Sequence, residues 1–113
     1  MMDTEKFTDR EKKEIQNCFD TKIKNVISGM VVRKNGNTCG VTLDFDSDFK
    51  TLKILTNHDA DIINGVAPDK EMHKVAESIL EKVKDIFNEN NIVYKDARCE
   101  GAYGNPIILD FSF

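Results

Sequence analysis

Apolar residues recur along this chain with two different periods, and each switch of period marks an element. In "FTDREKKEIQNCF", Ile15, Cys18 and Phe19 lie at helical spacing, and Ile23 continues the stripe. Thr8, with Glu11 three residues later, is the capping-box signature that opens such a helix. From residue 26 to 46 the period shortens to two. "VVRKNGNTCGV" sets Asn35-Gly36 between alternating runs, the dipeptide favoured in two-residue type I′ hairpins. That turn pairs Val32 with Cys39, Met30 with Val41, Ser28 with Leu43 and Val26 with Phe45 on one inward face. Arg33, Gly29 and Ile27 fall on the other face, with Thr38, Thr42 and Asp44 across from them. A slip of one residue would undo this sorting.

The turn "DSD" leads into "FKTLKIL". A tight turn there sets Leu52 beside Leu43 and Ile54 beside Val41, with Thr51 and Lys53 outward. "APDKEMHKVAESILEKVKDIFNENN" then returns to a helical period. Met72, Val75, Ala76, Ile79, Val83, Ile86 and Phe87 make a continuous stripe, wide enough to cover a sheet. Pro68 suits the first helical turn, Asp69 and Glu71 complement its dipole, and the Asn-rich end is a stop signal. Two strands close the chain, "IVYKDARCE" and "PIILDFSF", joined by the turn "GAYGN". Ile107, Leu109, Phe111 and Phe113 alternate as one buried face. The order is α-β-β-β-α-β-β. It predicts a two-layer α+β sandwich with a mainly antiparallel five-stranded sheet and the helices on one face.

With 113 residues the chain makes one domain, 1–113. At 40% hydrophobic and 32% charged residues it can build a core, so it is globular rather than disordered. The net charge of −4 argues against phosphate backbones and anionic membranes as partners. The three cysteines, Cys18, Cys39 and Cys99, are odd in number and none pairs at CxxC spacing. That predicts neither a disulfide framework nor a thiolate zinc site, and fits a reduced cytoplasmic setting. Cys39 and Cys99 fall on inward faces, where a free cysteine acts as a small hydrophobe. "MMDTEKFTDREKK" has no apolar stretch of the kind a signal peptide needs, and no run is long enough to span a bilayer.

Candidate chemistry is sparse. "LTNHDADIING" gathers His58, Asp59 and Asp61, and His73 with Glu77 shares a helix face further on. These residue types bind transition metals, but no compact ligand signature is present. A strand-to-helix connection needs Asn, Asp and Gly at such a place in any case. The expectation is a polar loop with no metal and no cofactor. In "CEGAYGNP" two glycines bracket Tyr103, with Asn105 and Pro106 after it, which presents an aromatic at a hairpin tip. Gly101 and Gly104 have the GxxG spacing of a KH-domain loop, but they lie between strands without basic flanks. The outward sheet face carries Arg33, Thr42, Asp44, Thr51, Lys53, Tyr94, Asp96, Arg98, Ile108 and Asp110.

The first 90 residues are similar in element order to a double-stranded RNA-binding domain. Where that family sets a basic cluster, at the start of the second helix, "PDKEMHK" places Asp69 and Glu71, which argues against RNA. The full order resembles the type III secretion chaperones, small acidic dimeric proteins, although this chain ends in a strand and theirs in a helix. That resemblance implies protein docking and pairing of copies.

The expectation for function is therefore a non-catalytic binding protein that docks another protein, as chaperones, immunity proteins and inhibitors do. The expected contacts are Arg33, Tyr94, Arg98, Tyr103 and Asn105. The alternative is a small-molecule site between the outward face and the 101–105 loop. A metal-dependent enzyme using His58, Asp61 and His73 ranks third. Either edge strand or the outward face offers a way for two copies to pair.

Overall fold

The computed structural model describes residues 6–30, 40–57, 68–100 and 107–113. Thr8 caps helix α1, Asp9–Cys18, through the expected box. Its hydroxyl accepts from Glu11 N–H at 3.1 Å, and Glu11 accepts from Thr8 N–H at 2.9 Å. The chain then passes through a π turn, Phe19–Ile23, into helix α2, Lys24–Met30. Strands β1, Gly40–Phe45, and β2, Thr51–Asn57, follow. Helix α3 runs Pro68–Glu89, and β3, Asp96–Glu100, and β4, Ile108–Ser112, complete the fold.

The π turn has a cause in the spacing. Ile15, Phe19, Ile23 and Ile27 are all buried and stand four residues apart. In a helix of 3.6 residues per turn, Ile15 and Ile27 would point about 120° apart. A π turn winds less per residue, and this brings the four side chains back onto one core-facing stripe.

This helical run overturns one expected strand. Residues 24–30 are helical, so Val26, Ser28 and Met30 do not pair with Phe45, Leu43 and Val41. Ile23, Val26, Ile27 and Met30 stand at i, i+3, i+4 and i+7, which is also the amphipathic-helix template. Extending the first helix buries Ile23 and Ile27 completely. The Asn35-Gly36 turn, Arg33 and Cys39 lie outside the described residues.

Among the described residues the sheet has four strands where five were expected, in the order β1-β2-β4-β3, with every neighbouring pair antiparallel. The β1–β2 register differs from the expected one by two residues. Leu43 faces Ile54 and Phe45 faces Leu52. The connection is longer than a tight turn, and Asp46 organises it. Its carboxylate accepts from Asp48 N–H at 2.7 Å and Phe49 N–H at 3.0 Å. A slip of two preserves the faces, so the inward and outward sorting of β1 and β2 holds.

The core lies between the helical layer and the inward face. Leu52, Ile54, Leu109 and Phe111 meet Ala76, Ile79, Val83 and Phe87 of α3, with Ile15, Phe19, Ile23 and Ile27 from the first helical run. Helix α3 ends as its Asn-rich tail predicts. Asn91 adopts φ 59°, and Ile92 N–H reaches back to the Phe87 carbonyl at 2.9 Å. This is a Schellman-type stop. Among the described residues no helix is long and apolar enough to cross a membrane.

Candidate functional site

The registers set the outward side chains in rows across all four strands. Asp44 of β1 stands opposite Lys53 of β2, Lys53 opposite Asp110 of β4, and Asp110 opposite Arg98 of β3. Alternation along each strand puts these four on the same side. The result is a ladder of alternating sign, minus, plus, minus, plus, across the whole sheet. Directly opposed side chains of unlike charge stabilise a sheet by roughly 0.2–1 kcal/mol per pair. Arg98 Nη2 lies 3.8 Å from Asp110 Oδ2. The Arg98 side chain is 71% exposed and that of Asp110 21%. Asp44, Lys53 and Arg98 are exposed, and Asp110 alone of the four is partly covered.

The next row runs from Thr42 through Leu55 to Ile108. Its centre is aliphatic, and Leu55 and Ile108 are half-buried by their neighbours. On the other side of the ladder Thr51 stands opposite Ser112, and Ser112 opposite Asp96. Seen from outside, the face has an apolar centre beside a band of both charges, rimmed by hydroxyls and carboxylates.

Arg98 lies on this face, as expected. Tyr94 does not. Its ring packs against Phe87, centroids 6.2 Å apart, and against Phe111 at 5.3 Å. The outward assignment fails because β3 begins only at Asp96, so strand alternation does not reach back to residue 94. Tyr103, Asn105 and Arg33 lie outside the described residues. So do His58, Asp59 and Asp61, and the His73 side chain. Among the described residues no three His, Cys, Asp or Glu side chains converge as metal ligands. Leu55 was absent from the outward residues expected. Its place beside Ile108 depends on β2 and β4 being neighbours, which no local signal announces.

The cysteines that are described turn inward. Cys18 is buried and burial pushes its thiol pKa up. Cys99 is half-buried, and burial, then the charge of Glu77, shifts its thiol the same way. In both the shift disfavours the thiolate, the form that attacks as a nucleophile.

Several clefts lie elsewhere. One of about 230 Å³ opens between Phe7, Ile15, Val93 and Phe113, with Glu11 and Glu14 at its rim. A second is shallow, along the exposed side of α3 between Met30 and Asp85. Neither is lined by an outward residue of the sheet. Phe49 and Val93 are the exposed large hydrophobics among the described residues, Phe49 in the β1–β2 connection and Val93 after α3, where it borders the Phe7–Phe113 cleft. Scattered exposed apolar residues are ordinary on a protein surface.

Searches against known protein families, curated proteins and solved structures found no match to this chain.

Proposed function

We propose that the protein is a non-catalytic docking module that holds a protein partner on the outward face of its sheet. The observation that supports this reading is the Asp44–Lys53–Asp110–Arg98 ladder beside the Leu55–Ile108 pair. An apolar centre with charged surroundings is the general anatomy of a protein interface. Alternating charge adds selectivity, because a partner in the wrong register meets like charges. The partner this face fits is a protein surface with both signs of charge flanking an apolar strip.

The face offers breadth rather than depth. Small-molecule sites are concave and enclose most of their ligand. A four-stranded face carrying side chains in straight rows is better suited to a broad contact.

The test is a comparison of baits in an extract of the cells the protein comes from. The wild type is set beside a Lys53→Glu, Arg98→Glu variant whose fold is verified by circular dichroism. The expected outcome is that proteins retained by the wild type are lost, or reduced at least tenfold, on the variant. Equal retention would place the contact surface elsewhere and end this reading.

A further inference from the structure

We infer that the partner of the outward face is a second copy of the same chain, related by a two-fold axis parallel to the strands and lying over the seam between β2 and β4. This rests on the docking reading above and names the partner.

A two-fold axis along the strands exchanges β1 with β3 and β2 with β4 across the interface, and leaves each row at its own height. The charged row of one copy then lies on the charged row of the other, run in reverse. A sequence of minus, plus, minus, plus reversed is plus, minus, plus, minus. Asp44 meets Arg98 of the second copy, and Lys53 meets its Asp110, each contact occurring twice. The neighbouring row obeys the same operation, so Leu55 meets Ile108 and Ile108 meets Leu55. Thr51 likewise meets Ser112. A two-fold axis running across the strands directly over this row would instead set Asp44 on Asp44 and Lys53 on Lys53, like charge on like. With charged row on charged row, the ladder therefore selects one of the two in-plane axes.

Isologous interfaces need a patch complementary to itself, and few arbitrary patches meet that demand. Here both the charged and the apolar rows meet it under one operation. Aligned sheets pack at about 30° because each is twisted, so the rows diverge toward the edge strands. The closest contacts are then those of the central strands, Lys53 with Asp110 and Leu55 with Ile108.

The face is small. Four strands about 4.8 Å apart and five residues long present roughly 300 Å² in projection. That places the contact at the weak end of protein interfaces. Self-association is accordingly to be read over roughly 10 µM to 1 mM, and it should weaken as salt screens the rim charges.

A charge-swap pair tests the geometry directly. Lys53→Asp sets a new carboxylate against Asp110 of its twin, and Asp110→Lys sets a new ammonium group against Lys53. Each variant alone is expected to associate at least tenfold more weakly than the wild type by analytical ultracentrifugation. Mixed in equal amounts, the two variants restore both contacts, and the mixture is expected to form heterodimers close to wild-type strength. A second pair, Asp44→Lys with Arg98→Glu, tests the outer contact by the same logic at exposed positions, should either central variant fail to fold. The inference is overturned if the wild type is monomeric at 1 mM, if the single variants associate as it does, or if the mixtures associate no better than the singles. A monomeric wild type whose bait variant still loses a partner would leave the docking reading standing with a different partner.

Discussion

The rings of Tyr94 and Phe111 meet edge to face, centroids 5.3 Å apart at an interplanar angle of 88°. Phe87 completes the group, 5.0 Å from Phe111. This cluster makes Tyr94 a strut between the end of α3 and the sheet. Tyr94→Ala is expected to cost about 2 kcal/mol of stability, from lost burial and ring contacts. Arg98→Ala, which removes an exposed side chain, should change stability by less than about 0.5 kcal/mol. Urea unfolding of the two variants checks both. Equal losses would contradict the opposite placement of these side chains.

Gly29 sits in α2 with nothing within 4 Å of where a Cβ would stand. The helix therefore bears the flexibility of glycine with no packing reason for it. Gly29→Ala should stabilise the protein by about 0.5–1 kcal/mol, seen as a higher thermal midpoint. Destabilisation instead would argue that this segment is not helical, and would revive the strand suggested by its alternation.

Asn91 holds a left-handed conformation, φ 59°, at the end of α3. Asn91→Gly should be neutral or slightly stabilising, whereas Asn91→Ala should cost about 1 kcal/mol. The contrast between the two, measured by chemical denaturation, isolates backbone conformation from loss of the side chain.

Two carboxylates tie loops in place, and both have lowered pKa values. Glu11 is held below its ordinary 4.5, first by the hydrogen bond from Lys50, 2.8 Å away, and then by Thr8 N–H. Asp46 is held below 3.8, first by Asp48 N–H and then by Phe49 N–H. In each case the unfolded chain binds a proton more readily than the folded one. Their stabilisation is complete above the unfolded values and is lost as pH falls through the folded ones. The thermal midpoint should thus begin to fall below about pH 4.5. Glu11→Gln should flatten that fall while lowering the midpoint at neutral pH. An unchanged acid profile in this variant would remove Glu11 from the account.

Local chemistry was legible in the residues themselves. Thr8 and Glu11 announced the first helix, because a capping box satisfies backbone N–H groups within one turn. The stripe from Ala76 to Phe87 and its Asn-rich stop defined α3, and the alternation of Ile107, Leu109 and Phe111 set the inward face of β4. Those signals depend on neighbours three or four residues away at most. The same alternation makes Arg98, Lys53 and Asp110 recognisable as outward residues, but it misplaces Tyr94, which precedes β3, and does not single out Leu55. Tertiary structure decided the rest. Residues 24–30 satisfy a strand pattern and a helix pattern alike, and burial of Ile23 and Ile27 against the core decided for helix. The connection held by Asp46 decided the β1–β2 register. Above all, the ladder exists only because β4 returns to lie beside β2, joining residues far apart in the chain in one row. That pairing comes from closing the core over α3, a long-range energy no window of sequence contains.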